Sequence, residues 1–128
     1  MSVERFFIDS WAWIEYFAGY EKGREVHDII TSESEIITSV LNEFEVFAKI
    51  FKLRGKECAQ EALDFIEDNA TIVHLNRALV EDSASLRAKQ GTSTVDAIVA
   101  ASALKYNATI LTGDSGFKQI QGLKVKLL

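Results

Sequence analysis

Four carboxylates stand where one predicted secondary-structure element gives way to the next, and they are the best candidates for chemistry in this sequence. The four are Asp9 after the first predicted strand, Glu43 in the first turns of the third predicted helix, Asp96 at the start of a late helix, and Asp114 after the strand that follows that helix. Each position is ordinary by itself. Together they can point toward one carboxyl edge of a parallel sheet, where ligands bind in α/β proteins.

Clustered carboxylates favour a metal site, because like charges raise one another's pKa and cannot stay ionised without a partner. No arginine or lysine adjoins any of the four in sequence, although one could approach in space. Ligand sets made only of oxygen suit Mg²⁺ or Mn²⁺. Such ions activate water and stabilise a phosphoryl transition state, so the predicted reaction is hydrolysis of a phosphodiester.

Simpler roles compete with this interpretation at two of the positions. Asp9 is also well placed to cap the helix that follows it. Glu43 is also favoured near a helix N-terminus by the helix dipole. Neither residue points to catalysis when it is considered alone.

Other common sites are absent from the sequence. It has no Gly-rich phosphate loop and no G-x-S-x-G elbow. Its two histidines, His27 and His74, are distant in sequence and give weak grounds for a catalytic triad. The single cysteine, Cys58, excludes an internal disulfide framework and a zinc site built from cysteines.

Composition indicates one globular domain, residues 1–128, that is large enough to bury a core without disulfides. The net charge of −5 argues against simple electrostatic binding of nucleic acid. If four of the 19 acids form one metal site, the remaining acids nearly balance the 14 bases. There is no charged-then-apolar leader and no long apolar run, so we expect a soluble cytoplasmic protein without a membrane contact.

Strand and helix patterns alternate along the chain. Strands are predicted over 4–8, 35–38, 71–75, 108–111 and 123–128, and helices over 11–17, 21–34, 40–53, 56–69, 77–89 and 94–104, with a possible short helix over 117–120. Ser39, Asn76 and Ser93 are predicted helix caps, with Asp96 at the acceptor position of a capping box. This order predicts an α/β fold with a mostly parallel central sheet of about four or five strands and helices on both faces.

The third predicted helix carries an apolar stripe at helical spacing, formed by Phe44, Phe47, Ala48 and Phe51. Glu43 lies one turn from Phe47 and borders this stripe, whereas Glu45 falls on a different side and is expected to be solvated. A basic cluster at the end of this helix, Lys49, Lys52, Arg54 and Lys56, either tracks phosphates or complements the helix dipole.

The ordered set of short motifs resembles the PIN domain, and within it the VapC ribonuclease toxins. The motifs are Ile8-Asp9-Ser10, Ser39-x-x-x-Glu43, Asp96-x-Ile98-x-Ala100 and Leu111-Thr112-x-Asp114-x-x-Phe117. They span most of the chain, from residue 9 to residue 117, in the family's order. The resemblance implies a single-domain endoribonuclease that depends on Mg²⁺, with Mn²⁺ as a possible substitute.

By this resemblance, Asp9, Glu43, Asp96 and Asp114 match the acidic metal-binding and catalytic positions, and Ser10 and Thr112 match supporting hydroxyl positions. The resemblance also implies an RNA substrate, a homodimer and a small VapB-type antitoxin. Two departures stand out. Ser115-Gly116 replaces a second polar or acidic residue of the commoner loop, and Asn42 and Phe44 are less typical neighbours of the glutamate.

Several alternatives remain open from the sequence. The chain could be a PIN nuclease of RNA processing without an antitoxin, or a non-catalytic interaction module on the same fold. A phosphatase or phosphotransferase with Asp9 as nucleophile is a further alternative, although such enzymes usually place a second acid where this chain has Trp11. Trp11, Trp13 and Tyr16 follow the first strand and are either core residues or platforms for bases.

Overall fold

The computed structural model describes residues 3–128, so the first two residues of the predicted domain lie outside the described part. The elements in chain order are β1 (Arg5–Ile8), α1 (Ser10–Phe17), α2 (Gly23–Ile30), β2 (Glu35–Ser39), α3 (Val40–Arg54), α4 (Lys56–Asn69), β3 (Thr71–Val73), α5 (Arg77–Gln90), α6 (Thr94–Lys105), β4 (Thr109–Thr112), a 3₁₀ helix (Ser115–Gln119) and β5 (Val125–Leu127). The predicted alternation of strands and helices is confirmed.

The five strands form one parallel sheet in the order β3-β2-β1-β4-β5. In the centre of the sheet, Phe7 of β1 lies opposite Ile37 of β2 on one side and Ile110 of β4 on the other. Because helices cover both faces, the inner strands can be apolar along their length. The predicted α/β class, with helices on both faces of a parallel sheet, is confirmed.

Each face of the sheet has its own core. Phe7, Ile37 and Ile110 pack on one face with residues of α5 and α6. Phe6, Ile8, Trp13, Val46 and Ile66 pack on the other face, which α1 to α4 cover. Alternate side chains of a strand point to opposite faces, so neighbouring residues of β1 belong to different cores.

The apolar stripe on α3 does not face the core. The side chains of Phe44 and Phe51 are 71% and 49% exposed, whereas Val46 is fully buried. Val46 lies two residues from Phe44 and therefore on roughly the opposite side of the helix. The side of α3 that carries Val46 packs against the sheet. The orientation of the helix about its axis then determines which neighbours the acidic side chains of α3 contact.

In the part of the chain that the structure describes, no helix combines the length and the apolar character needed to cross a bilayer.

Candidate active site

The chain adds strands on one side of β1 and later on the other, so the β1–β4 pair is a topological switch point of the sheet. From β1 the chain proceeds outward through β2 and β3, and it then returns to add β4 and β5 on the other side. Parallel sheets bind ligands in the crevice at such a switch point. Asp9 directly follows β1 and Thr112 ends β4, so both residues lie there.

Asp9 is a buried carboxylate that is held by one hydrogen bond on each oxygen. It caps α1, with Oδ1 accepting from the backbone N–H of Ala12 at 3.0 Å, and Oδ2 accepts from the hydroxyl of Thr112. Burial raises the pKa of Asp9 to about 6; these two hydrogen bonds oppose the rise, while the charges of Asp114 and Asp96 add to it. Capping and a role in the site are therefore compatible at this residue.

Asp114 lies two residues beyond the end of β4 and is exposed. Its backbone N–H donates to the Thr112 hydroxyl oxygen at 3.0 Å, and its own carboxylate accepts from the backbone N–H of Gly116 at 2.8 Å. Thr112 thus links the Asp114 loop to Asp9.

Asp96 lies in the first turn of α6, which begins at the same carboxyl edge of the sheet. Ser93 caps this helix by accepting from the backbone N–H of Asp96. Burial and then the charge of Asp114 raise the pKa of Asp96, hydrogen bonding by the Ser93 side chain opposes the rise, and the charge of Glu45 adds to it. The structure therefore brings Asp9, Asp96 and Asp114 into mutual electrostatic reach.

Glu43 is not brought to this group. The residue is 7% exposed, and its buried Oε2 has no hydrogen-bond partner among the described residues. Burial and the charge of Glu67 raise the pKa of Glu43, and the charge of His74 opposes the rise. Glu43 thus lies near Glu67 of α4 and His74 after β3, and the structure does not group it with the three aspartates, although the sequence interpretation preferred it to Glu45.

Glu45 takes the place that was expected for Glu43. Its Oε1 accepts a hydrogen bond of 2.5 Å from the hydroxyl of Ser10, the residue after Asp9, and its charge acts on Asp96. A signal was available in the sequence, because Val46 and Ile50 form a second apolar pair at helical spacing. Reading that pair as the packing face turns Phe44 outward, as the structure shows.

Asn42 connects Ser10, the hydrogen-bond partner of Glu45, to the start of α3, a role that no sequence motif had indicated. Its side chain is 1% exposed. Its amide N–H donates to Ser10 at 2.9 Å, and its oxygen accepts from the hydroxyl and the backbone N–H of Ser39 at 2.7 and 3.1 Å. The capping box of α3 and the Ser10–Glu45 pair are therefore one network.

The donor set at this edge suits a hard divalent cation. All the candidate donors are carboxylate or hydroxyl oxygens, which Mg²⁺ and Mn²⁺ prefer, and the charges of Asp114 and Asp96 add to the raised pKa of Asp9. As the side chains stand, however, no three acids, histidines or cysteines within residues 3–128 are arranged to hold one metal ion. The chemistry of the site fits a metal ion, while a complete ligand cage is not formed.

Comparison with known proteins gives a consistent assignment of the fold. The family model described as the PIN domain matches residues 6–123. No curated protein sequence matches the chain.

Three solved structures illustrate the similarity. A chain of VapBC2 from Rickettsia felis, crystallised with a DNA fragment from its promoter, is 18% identical, with a TM-score of 0.79 over 96% of this chain and 98% of that one. A chain of DNA-bound VapBC from Salmonella typhimurium is 16% identical, with a TM-score of 0.78 over 97% and 98%. VapC20 from Mycobacterium tuberculosis, a toxin that cleaves the sarcin-ricin loop, is 18% identical, with a TM-score of 0.74 over 88% and 92%.

Proposed function

Because the chain belongs to the PIN domain family, we propose that it is an endoribonuclease that hydrolyses RNA phosphodiester bonds with Mg²⁺ or Mn²⁺. The observation that carries the proposal is the gathering of three acids at the switch point of the sheet, where the charges of Asp96 and Asp114 act on Asp9 and that of Asp114 acts on Asp96. Glu45 joins them through Ser10. The fold alone would not indicate an activity, since one fold serves many functions.

In this proposal the carboxylates of Asp9, Asp96, Asp114 and Glu45 would hold the metal. When bound, the ion would lower the pKa of a water molecule and stabilise negative charge on the phosphate. Asp9 is the most fixed of these ligands, because both of its oxygens are hydrogen-bonded. The hydroxyls of Thr112 and Ser10 orient Asp9 and Glu45 respectively.

The direct test is cleavage of single-stranded RNA with Mg²⁺ or Mn²⁺ by the purified wild type and by the Asp9→Asn and Asp96→Asn variants. We expect the variants to lose activity by at least about a hundredfold while remaining folded. Variants that cut as fast as the wild type would show that a contaminating nuclease is at work and would refute the proposal. Normal folding without Mn²⁺ binding in the wild type would favour the non-catalytic alternative.

A toxin paired with a VapB-type antitoxin in the cytoplasm is the biological setting that we propose. The similar structures include VapBC complexes. On this chain, an apolar groove of about 520 Å³ runs between α1, α3 and α4, lined in part by Phe17, Ile50 and Phe65, with Lys49 and Arg54 at its side. Such a groove suits a short segment with apolar side chains and acidic flanks.

The partner proposal can be tested separately from RNA cleavage. The adjacent reading frame, if it encodes a small DNA-binding protein, would be co-expressed with the wild type and with Leu53→Asp. Leu53 lines the groove and is largely exposed, so the change should preserve folding and RNA cleavage while abolishing co-purification. Val80→Asp, at an exposed position outside the groove, is the control.

We also propose that the chain forms a homodimer. The exposed rings of Phe44 and Phe51 on α3 provide apolar surface that a second copy could cover. Light scattering after gel filtration should give twice the chain mass for the wild type, and a smaller value for Phe44→Asp. A monomeric wild type at micromolar concentration would refute the dimer.

A further inference from the structure

Gly113 is the residue between Thr112 and Asp114, and its backbone conformation does not explain why it is glycine. Its φ is not among the positive values found at other glycines of the chain. A Cβ placed on Gly113 would instead lie 2.5 to 2.6 Å from three ring atoms of Trp11, namely Cε2, Cδ2 and Cζ2. These distances are far below ordinary carbon–carbon contact. The indole of Trp11 therefore lies directly on the Gly113 backbone.

This contact joins the same two loops that Asp9 and Thr112 join. Trp11 lies two residues after Asp9 in the first turn of α1, and Gly113 follows Thr112 at the end of β4. The hydrogen bond from Thr112 to Asp9 is one link between the loops, and the Trp11–Gly113 contact is a second. Asp114 is the next residue after the second link.

We propose that Trp11 is a positioning residue whose indole, seated on Gly113, sets where Asp114 stands relative to Asp9 and Asp96. The proposal rests on the function proposed above only in the role that it gives to Asp114. Asp114 is exposed and belongs to a short loop, so its carboxylate needs such external restraint if it is to act on a shared ion. The hydrogen bond from the Asp114 N–H to Thr112 restrains its backbone, and the bond from the Gly116 N–H to its carboxylate lies within the same loop, so neither bond attaches Asp114 to α1.

A general packing role for Trp11 makes different predictions. The ring is 36% exposed, and the Lys22 ammonium lies 5.8 Å from its centroid, so one part of the indole remains at the surface. Loss of packing alone would lower the melting temperature and leave the site's affinity for metal unchanged. A positioning role requires that the effects of substitutions at Trp11, Gly113 and Asp114 depend on one another.

The experiment is a set of double-mutant cycles in the full-length chain. The variants are Trp11→Ala, Gly113→Ala, Asp114→Asn, the Trp11→Ala/Gly113→Ala pair and the Trp11→Ala/Asp114→Asn pair. The readouts are Mn²⁺ affinity by calorimetry, kcat and KM on single-stranded RNA, and melting temperature. Tyr20→Ala, which removes another exposed aromatic ring, is the control for the loss of an aromatic side chain.

We expect Gly113→Ala to weaken Mn²⁺ binding and to lower kcat by about tenfold to a hundredfold, since displacements of about 1 Å are costly at such sites. Trp11→Ala should lower the Mn²⁺ affinity and kcat to a smaller extent. The double variant with Ala at both positions should recover much of the Gly113→Ala loss, because the overlapping ring is gone. In a chain that already carries Asp114→Asn, Trp11→Ala should cause little further loss of Mn²⁺ affinity or kcat.

A readout without metal or RNA separates this proposal from the proposed function. Exchange of the Asp114 backbone amide hydrogen, which is bonded to Thr112, should be at least about tenfold faster in Trp11→Ala, while that of Ile110 in β4 stays unchanged. Unchanged exchange at Asp114, or equal Gly113→Ala losses with and without Trp11, would overturn the positioning role. Absence of Mn²⁺ binding and of cleavage in the wild type would instead overturn the proposed function.

Discussion

The hydroxyl of Ser10 donates a 2.5 Å hydrogen bond to Oε1 of Glu45, and this bond joins the first residue of α1 to the side of α3 that faces the candidate site. Glu43, two residues earlier, has no hydrogen-bond partner for its Oε2 within residues 3–128. The two glutamates therefore have separate roles, and each can be tested against the other.

Glu45→Gln is expected to lower RNA cleavage by at least about tenfold, because it removes a charge from the proposed metal site. Glu43→Gln should leave cleavage within about twofold of the wild type, since Glu43 faces Glu67 and His74 instead. Both substitutions are isosteric, so each is the matched control for the other in assays of kcat and KM. The reverse pattern would return Glu43 to the site.

Glu43→Gln is also expected to stabilise the protein at neutral and alkaline pH. Burial raises the pKa of Glu43 above its ordinary value of 4.5, so the folded chain binds a proton that the unfolded chain releases. The stability contributed by the protonated group is therefore complete below the ordinary pKa and is lost as pH rises through the raised one. Near pH 8 the variant should melt roughly 2–5 °C above the wild type.

The advantage of Glu43→Gln should shrink toward zero as the pH falls below 4.5. Melting curves by circular dichroism across this pH range would measure it, with Glu57→Gln on the exposed side of α4 as the control. A pH-independent difference between Glu43→Gln and the wild type would contradict the assignment of a raised pKa.

Metal binding is expected to weaken in acid because of Asp9. Burial raises the pKa of Asp9 to about 6 in the metal-free chain, so below this pH a bound cation must displace a proton. Mn²⁺ affinity should fall by about tenfold for each pH unit below 6 and should lose this dependence on Asp9 above pH 7. Calorimetry in buffers of different ionisation enthalpy would count the released protons.

The Asp9→Asn variant should bind Mn²⁺ weakly and should lack the proton release that is assigned to Asp9. Its fold should persist, because an amide oxygen can still accept the hydrogen bond from Ala12 that caps α1. Equal Mn²⁺ affinity of the wild type at pH 5 and at pH 7.5 would contradict the prediction.

Asn42→Ala is expected to lower both stability and activity. The substitution removes hydrogen bonds to Ser10 and Ser39 from a buried position, which costs about 1–3 kcal/mol when it leaves a buried group unpaired. Ser10 then loses the donor that orients it toward Glu45, so kcat should fall as well. Urea unfolding and RNA cleavage would measure the two effects.

Ser39→Ala is the matched control for Asn42→Ala. It removes the cap of α3 but keeps the bond from Asn42 to Ser10. The control should therefore lose stability, by about 1 kcal/mol, with a smaller loss of cleavage. If Asn42→Ala and Ser39→Ala lost the same stability and also the same cleavage activity, Asn42 would act on the fold alone.

Local sequence determined much of the fold and the positions of three of the acids at one edge of the sheet. Caps at Asp9, Ser39 and Ser93 are set by side chains that bond to backbone N–H groups three residues on, and the structure confirms all three. The alternation of strands and helices forces a parallel arrangement, because parallel strands need helical crossovers. Asp9 and Asp114 follow strands and Asp96 opens a helix, so the topology alone carries these three acids to one edge.

Tertiary structure decided which side of each helix faces the site. Helix α3 has apolar residues on more than one side, so periodicity alone left its rotation undetermined, and the packing of Val46 against the sheet turned Glu45 toward Ser10 and Phe44 toward solvent. The packing of the Trp11 ring on the Gly113 backbone brings together residues that are about a hundred positions apart in the chain. Such contacts depend on how whole elements pack, because helix rotation is fixed by the sum of many distant contacts and not by the helix's own sequence.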